Sequence, residues 1–577
     1  MEYLNNTYLV ADNIISSLGF TTQENLDAIN SYKSGIALLE TSEISDFSIL
    51  AGLIDQDRLS ESVKKYNLND FTKAEQLTIL SIKDLLSQKQ INLNECGLII
   101  STTKGNIDLL QNHTENINNN LFLRETATRI SNYFGMKDNA MVVSNACISG
   151  VSALIVAHRL LKMGNYKHMI VTGVDVLSHF ISSGFQSFRS LSENLCKPYD
   201  VDRDGLNLGE ACGSILLSTE GDKDSIVLRG GAISNDANHI SGPSRTGDGL
   251  YFAIKGAMKE AETSLEDIDF VNLHGTATVF NDEMEAKAIH LAKLDNIPIN
   301  SLKPYFGHTL GASGVIETIV CAHQLKNDTI YATLGYQTSG VTSALTISNK
   351  HIHKDSTDTC IKTASGFGGC NAAIVLSKNK NKEQANIENL KFEQIKSCSI
   401  ENSVVKVNNE VIFDSSSTDF AAFIREAYKS SEDSNQKFYK MDDLCKLGYI
   451  AALYLLKDIS YSPDQIGIIL SNYSSSLDTD VKHQRIIDKD GDAAASPAVF
   501  VYTLANIVAG EICIRHKIQG ENTVFIEYPD NLDKQNEYVK LAMVDGNMHL
   551  CITGWCEYID NKYKAEFRLI EKEIWKN

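Results

Sequence analysis

The sequence predicts a layered α/β protein that carries a second, shorter copy of part of itself at its C-terminal end. Two patterns carry this reading. Strand-like apolar runs, LIIST at 98–102, MIVTGVDV at 169–176 and SILLS at 214–218, alternate with amphipathic helical stretches up to about residue 377. Such alternation builds sheets layered with helices. Short segments also recur in order at a nearly constant spacing. FTKAEQL (71–77) and FYKMDDL (438–444) lie 367 residues apart, CGLIIS (96–101) and IGIILS (466–471) 370 apart, and MIVTG (169–173) and LCITG (550–554) 381 apart. An ordered set of matches is the mark of a repeated unit.

Between the copies, SKNKNKEQANIENLKFEQ (377–394) is rich in Lys, Asn and Glu and poor in large apolar residues. It reads as a linker over 378–396, which divides a first block, 1–377, from a second, 397–577. The second block stops soon after the third match. It therefore repeats about the first half of the first block and nothing of its second half.

Composition narrows the function. At 577 residues and 43% hydrophobic the chain can bury more than one core, and a net charge of −20 argues against nucleic-acid partners and anionic membranes. No run of eighteen apolar residues is present; VSALIVAHRLL is broken by His158 and Arg159. MEYLNNTYLV lacks the basic-then-apolar pattern of a signal peptide. Twelve cysteines occur without a CxxC pair, so neither a zinc site nor a disulfide framework is expected, and free thiols fit a reducing cytoplasm. Walker A, strand-borne GxGxxG, HExxH and GxSxG motifs are absent. No metal is expected.

The chemistry concentrates in four stretches. MVVSNACISG (141–150) is an apolar run that turns at Cys147 into a helix with Val151, Leu154, Ile155 and Val156 at helical spacing. A cysteine just ahead of a helix has the N–H groups and dipole that favour thiolate, so a lowered pKa is expected, and small neighbours leave room for a substrate. VNLHGTATVFND (271–282) places His274 at the end of a strand-like run, followed by Thr276 and Thr278. SLKPYFGHTLGASGVIE (301–317) holds Lys303, His308 and Glu317 around a glycine-rich helix start. ASGFGGCNAAIVLS (364–377) is a glycine-rich turn whose N–H groups suit an oxyanion. A cysteine with two histidines in glycine-flanked loops forms a catalytic constellation.

These stretches, with PYDVDRDGLNLGEACGSILL (198–217) and DANHISGPSRTGDGL (236–250), resemble the β-ketoacyl-acyl carrier protein synthases, decarboxylating condensing enzymes of the thiolase-like fold. The resemblance covers about residues 1–377. It implies a layered α-β-α-β-α fold of two duplicated halves, joined here by a third half-unit. It implies Cys147 as acyl-accepting nucleophile, His274 and His308 as hydrogen-bond donors to the developing enolate, and Lys303 and Glu317 as the network orienting them. Phe367, between Gly366 and Gly368, would be the gate and oxyanion loop, and Thr276 and Thr278 the pantetheine-binding hydroxyls. No cofactor is implied beyond the phosphopantetheine of an acyl carrier protein, the expected partner.

The second block also resembles a ketosynthase, but only its N-terminal half. Carried across, Cys147 falls on Pro529, and no HGT or GHxxGxxG follows. The block resembles a catalytically silent chain-length factor cut to half length, which favours polyketide or aryl-polyene-type products over housekeeping fatty acids. TVFIEY (523–528) would stand where MVVSNA (141–146) stands, which sets an intramolecular pseudo-dimer against an ordinary homodimer. Two alternatives remain: a degradative thiolase using coenzyme A, for which Cys370 would be the second cysteine, and a non-catalytic partner that shapes another enzyme's pocket.

Overall fold

The computed structural model describes residues 6–115, 117–137, 140–378, 391–529, 532–546 and 548–573. Fifteen of the strands among the described residues fall into three units of five. The first unit contains β1 (Thr7–Ile15), β2 (Cys96–Ser101), β3 (Met141–Val143), β4 (His168–Asp175) and β5 (Ala211–Ser218). Their order in the sheet is β1-β5-β4-β2-β3, with the first two pairings antiparallel and the last two parallel.

The second unit repeats that order and those directions with β6 (Ile226–Asn235), β7 (Phe270–Asn272), β8 (Pro298–Asn300), β9 (Thr359–Gly366) and β10 (Cys370–Lys378), arranged β6-β10-β9-β7-β8. The third does so with β11 (Lys391–Glu401), β12 (Ile466–Asn472), β13 (Asn522–Ile526), β14 (Leu550–Ile559) and β15 (Lys562–Glu573), arranged β11-β15-β14-β12-β13. This is the thiolase-like fold of two like halves with a further half of the same topology.

Helices supply the layers. α1 (Lys73–Gln88) starts at a capping box made by Thr72 and Glu75 and covers the outer face of the first sheet at β1, β4 and β5. α2 (Ser149–Lys162) enters the space between the first two sheets, and α3 (His179–Ser187) follows β4. α4 (Asp248–Glu260) and α5 (Val279–Leu291) lie on the second sheet's side, and α6 (Ser313–Lys326) runs beside α2. In α2, 13 of 14 residues are buried, and in α6 12 of 14, the pattern of helices enclosed on every side. Gly150 and Gly314 permit their contact. A Cβ on Gly150 would lie 2.8 Å from the Val315 nitrogen, and one on Gly314 2.5 Å from the Val151 nitrogen.

The third unit adds α7 (Leu477–Asp490), α8 (Ile507–His516) and α9 (Leu532–Asp545), and it docks edge to edge on the first. β3 and β13 pair antiparallel, with Val143 opposite Phe525 and Val142 opposite Ile526. The two five-stranded units thus join into one continuous sheet related by a pseudo-two-fold axis at the junction. The two copies present the same edge to each other, as an isologous contact requires. The Asn145 side chain extends the ladder by one step: its amide donates to the Asn522 carbonyl at 2.8 Å and accepts from the Val524 N–H at 2.8 Å.

The expected linker differs from the structure at both ends. β10 runs through Lys378, and residues 391–396 are already strand, paired with the end of β15 from Lys391 opposite Glu573 onward. KFEQIK is a polar edge-strand sequence, so composition alone made it look like a connector. The rest of the expected linker, 379–390, lies outside the described residues. Among the described residues no helix is long and apolar enough to cross a membrane.

Because the β3 edge is already occupied by β13, the chain should behave in solution as its own partner. Light scattering should give a mass near 63.7 kDa, one chain. A mass of twice that, unaltered on removing residues 397–577, would defeat this prediction.

Candidate active site

β3 ends in a sharp turn, and that turn presents Cys147. Ala146 takes a positive φ of 47°, strained for a residue with a Cβ, and Cys147 follows in a short helical turn before α2. Ser149 pins the turn: its hydroxyl donates to the Ala146 carbonyl at 2.6 Å and accepts from the Asn145 N–H at 2.8 Å. His274 arrives from the end of β7, and Glu285 on α5 fixes its backbone by accepting from the His274 and Gly275 N–H groups, each at 2.8 Å. His308 arrives from the loop before α6. Asp175, at the end of β4, accepts from the Gly311 N–H at 2.7 Å and from the Thr103 N–H at 3.0 Å, tying that loop to the strand ends of the first unit.

Cys147, His274 and His308 converge in a cavity of about 220 Å³, which Thr276, Thr278 and Phe367 also line. His308 Nε2 lies 3.2 Å from Cys147 Sγ, and the two imidazoles cross edge to face at 5.1 Å between ring centres. The Leu310 N–H donates to His308 Nδ1 at 3.3 Å, so the proton of a neutral His308 sits on Nε2, facing the thiol. Lys303 Nζ approaches His274 Nδ1 at 3.5 Å and bonds Glu317 Oε1 at 2.5 Å. An ammonium can only donate, so His274 too carries its proton on Nε2.

Thr276 and Thr278 share a hydroxyl–hydroxyl bond of 2.9 Å. Phe367 stacks on Phe188 at 5.3 Å, and a Cβ on Gly366 would lie 3.1 Å from the Cys147 nitrogen, so the glycine turn abuts the nucleophile's backbone. Gly368 has φ of 90°, a conformation that favours glycine. The structure therefore brings every residue singled out from the sequence to one place.

Burial dominates the electrostatics. It lowers both imidazoles well below 6.5, assisted at His274 by Lys303, His308 and Lys362 and at His308 by Lys303 and Lys362. It also overturns the expected low pKa of the nucleophile. Burial pushes the Cys147 thiol up to about 12, against the pull of Lys303. The helix start is present, but it lies inside the layer between two sheets, where loss of water outweighs the dipole. Cys370, the candidate second thiolase cysteine, turns its thiol to the Phe367 carbonyl at 3.2 Å, and its pKa is raised well above 9 by burial.

Sequence reading missed several contributors. Lys362 on β9 reaches Glu317 Oε2 at 2.7 Å, and a lysine inside the strand-like TCIKTASG was a signal for it. Glu285 and Asp175 serve through backbone N–H groups, which no motif announces. From the third unit, Asn506 at the start of α8 donates to the Phe367 carbonyl at 2.8 Å. Phe500 packs against Phe185 at 5.7 Å and sits so close to Gly184 that a Cβ there would overlap its ring. Phe500 and Leu504 also close a void of about 10 Å³ beneath Cys147.

Comparison with known proteins agrees with this geometry. Residues 83–223 match the family described as Beta-ketoacyl synthase, N-terminal domain, and residues 226–337 its companion, Beta-ketoacyl synthase, C-terminal domain. The two matches lie end to end within the first block, which is similar to this family over residues 83–337. The chain is 32% identical over 253 residues to a 3-oxoacyl-[acyl-carrier-protein] synthase 2 of Rhizobium meliloti (strain 1021), covering 41% of this chain and 60% of that protein. It is 26% identical over 402 residues to the enzyme of the same name from Staphylococcus aureus (strain COL), covering 62% and 94%. Among solved structures, the ketosynthase ApeO in complex with its chain length factor ApeC, from Xenorhabdus doucetiae, matches at TM-score 0.57 and 25% identity over 65% of this chain and 98% of that one. The PfaC keto synthase–chain length factor shares the fold over 99% of this chain and 78% of its own, at TM-score 0.77 and 14% identity.

A direct consequence concerns protonation. A free imidazole is half protonated near pH 6.5. His274 and His308 have lowered pKa values, so they should remain neutral there. Nitrogen NMR of ¹⁵N-histidine-labelled protein should show the His274 and His308 imidazoles, assigned by the loss of their signals in His274→Ala and His308→Ala, neutral at pH 6.5. Half-protonation of either at that pH would contradict the assignment.

Proposed function

We propose that the chain catalyses decarboxylative Claisen condensation of a Cys147-bound acyl group with malonyl-acyl carrier protein, giving a 3-oxoacyl-acyl carrier protein. The observation that carries this is the set of Cys147, His308 and His274 facing one cavity, with both imidazole Nε2–H groups available as donors. In this reading Cys147 sulfur attacks the incoming acyl thioester, and the carrier thiol leaves with the proton. Malonyl thioester then enters past Thr276 and Thr278, whose hydroxyls would hold the pantetheine arm. Loss of CO₂ leaves an enolate, whose oxygen accepts hydrogen bonds from His274 and His308 as its charge develops. The enolate carbon attacks the Cys147 thioester, and the Cys147 and Phe367 N–H groups hold the resulting oxyanion. Collapse of that intermediate breaks the C–S bond and returns the thiolate.

The third unit would act as a silent partner. Phe500 and Leu504 stand at the end of the acyl space, and Asn506 restrains the Phe367 loop that would gate it. This supports elongation of a limited chain, of the polyketide or aryl-polyene type. The absence of any cysteine at Pro529, an exposed position, supports a non-catalytic role for this unit.

Acyl-carrier proteins should label Cys147 alone among the twelve cysteines, and Cys147→Ala should abolish condensation. His274→Ala or His308→Ala should still accept the acyl group but lose malonyl decarboxylation by roughly 10²–10³, the usual cost of deleting an oxyanion donor. Normal release of labelled CO₂ by either variant would refute the assigned roles. Phe500→Ala should deepen the acyl pocket and shift products toward chains longer by at least one two-carbon step. An unchanged product distribution would remove the third unit from control of length.

A further inference from the structure

Glu317 is held from both sides. Lys303 Nζ lies 2.5 Å from Oε1 and Lys362 Nζ 2.7 Å from Oε2, and Lys362 also donates to the Thr363 carbonyl. All three side chains are at most 3% exposed. Lys362 comes from β9, directly opposite Asn272 on β7, so its backbone stands two residues from the level of His274. Burial acts to raise the Glu317 carboxyl, and the two ammonium groups outweigh it and hold it below the usual range.

Two cations on one carboxylate leave a net charge of one positive unit. A buried net charge is costly unless something of opposite sign answers it. Of the surrounding groups only the Glu285 and Asp175 carboxylates answer it, and each is turned to other donors. His274 and His308 are neutral. Glu285 is also buried, but its oxygens are committed to the His274 and Gly275 N–H groups and the Tyr199 hydroxyl. The Cys147 thiol is protonated when the enzyme is at rest. Asp175 is spent on the N–H groups of the Thr103 and Gly311 turns.

We propose that Lys362 is a positioning residue for the condensation: with Lys303 it clamps Glu317, and it sets a second positive charge beside His274 and His308, where the malonyl-derived enolate forms. This rests on the condensation reading given above. Two neutral imidazoles bond the enolate oxygen directly, and the excess charge behind them favours the anionic state over the neutral thioester. Lys362 itself touches no reacting atom and acts through Glu317 and through the field.

Charge arithmetic supplies a test that a purely structural role would not pass. The wild-type triad carries +1. Lys362→Met reduces it to zero. Adding Glu317→Gln to Lys362→Met restores +1 through Lys303 alone, although it removes one more native contact. The measurement is CO₂ release from malonyl-carrier protein by the full chain, normalised to the fraction of Cys147 that accepts an acyl group. Lys362→Met should lose on the order of tenfold or more, as expected for removing one charge several ångströms from a developing anion in a dry site. The double variant should recover at least threefold over Lys362→Met, and Lys362→Arg should retain more activity than Lys362→Met.

Wild-type release by Lys362→Met would overturn the proposal. So would a double variant no faster than the single one, because that result would make Lys362 a packing contact. If Lys362→Met fails to fold, Lys362→Gln and Lys362→Gln/Glu317→Gln carry the same comparison. No CO₂ release by the wild-type chain would instead defeat the condensation reading itself.

Discussion

The antiparallel pairing of β3 with β13 is the constraint from which the site is built. β3 is three residues long and ends at the strained Ala146 that presents Cys147. A strand so short has little to hold it in place alone. One neighbour in its own sheet is β2, and the other is supplied by the third unit. Asn145 then spends its whole side-chain amide on β13, so the residue two before the nucleophile is anchored in the other copy. From the same unit, Asn506 bonds the carbonyl of Phe367. The Cys147 turn and the Phe367 loop are therefore both held by the third unit.

Much of this was legible in the sequence, and the reasons are local. A catalytic cysteine, two histidines and the glycine turns around them need small neighbours and special backbone, and those leave short signatures such as NACISG, HGTAT and GFGGCN. The repeat was legible because β2 and β12, and β4 and β14, keep their apolar pattern at equivalent positions. Lys362 left only a lysine inside a strand-like run, because its partner depends on which helix faces its strand. Phe500, Leu504 and Asn506 were not legible, because an apolar or amide residue in a degenerate block carries no mark of what it touches. The thiol's pKa was misjudged for a related reason. The helix start is a sequence feature, but the second sheet that dries it is a tertiary one.

The third unit also meets the first through its helices. α9 stands in the third unit where α2 stands in the first, and the two pack against each other. α2 is buried on nearly all sides, whereas α9 keeps Tyr538, Val539, Leu541 and Ala542 inward and exposes Asp533, Glu537 and Lys540. Arg159 of α2 meets Glu521, just before β13, at 2.7 Å, and Asp545 at the end of α9 at 3.8 Å, so a buried ionic contact joins the two units.

Carrying the silent unit on the same chain alters the physics of assembly. Two separate subunits associate according to their concentrations, and a scarce partner leaves empty sites. A tethered partner is present at a fixed effective concentration, commonly millimolar for a short connection, however dilute the protein becomes. The stoichiometry of first and third units is then one to one by covalent bond. The void beneath Cys147 that Phe500 and Leu504 close thus stays closed at every level of expression.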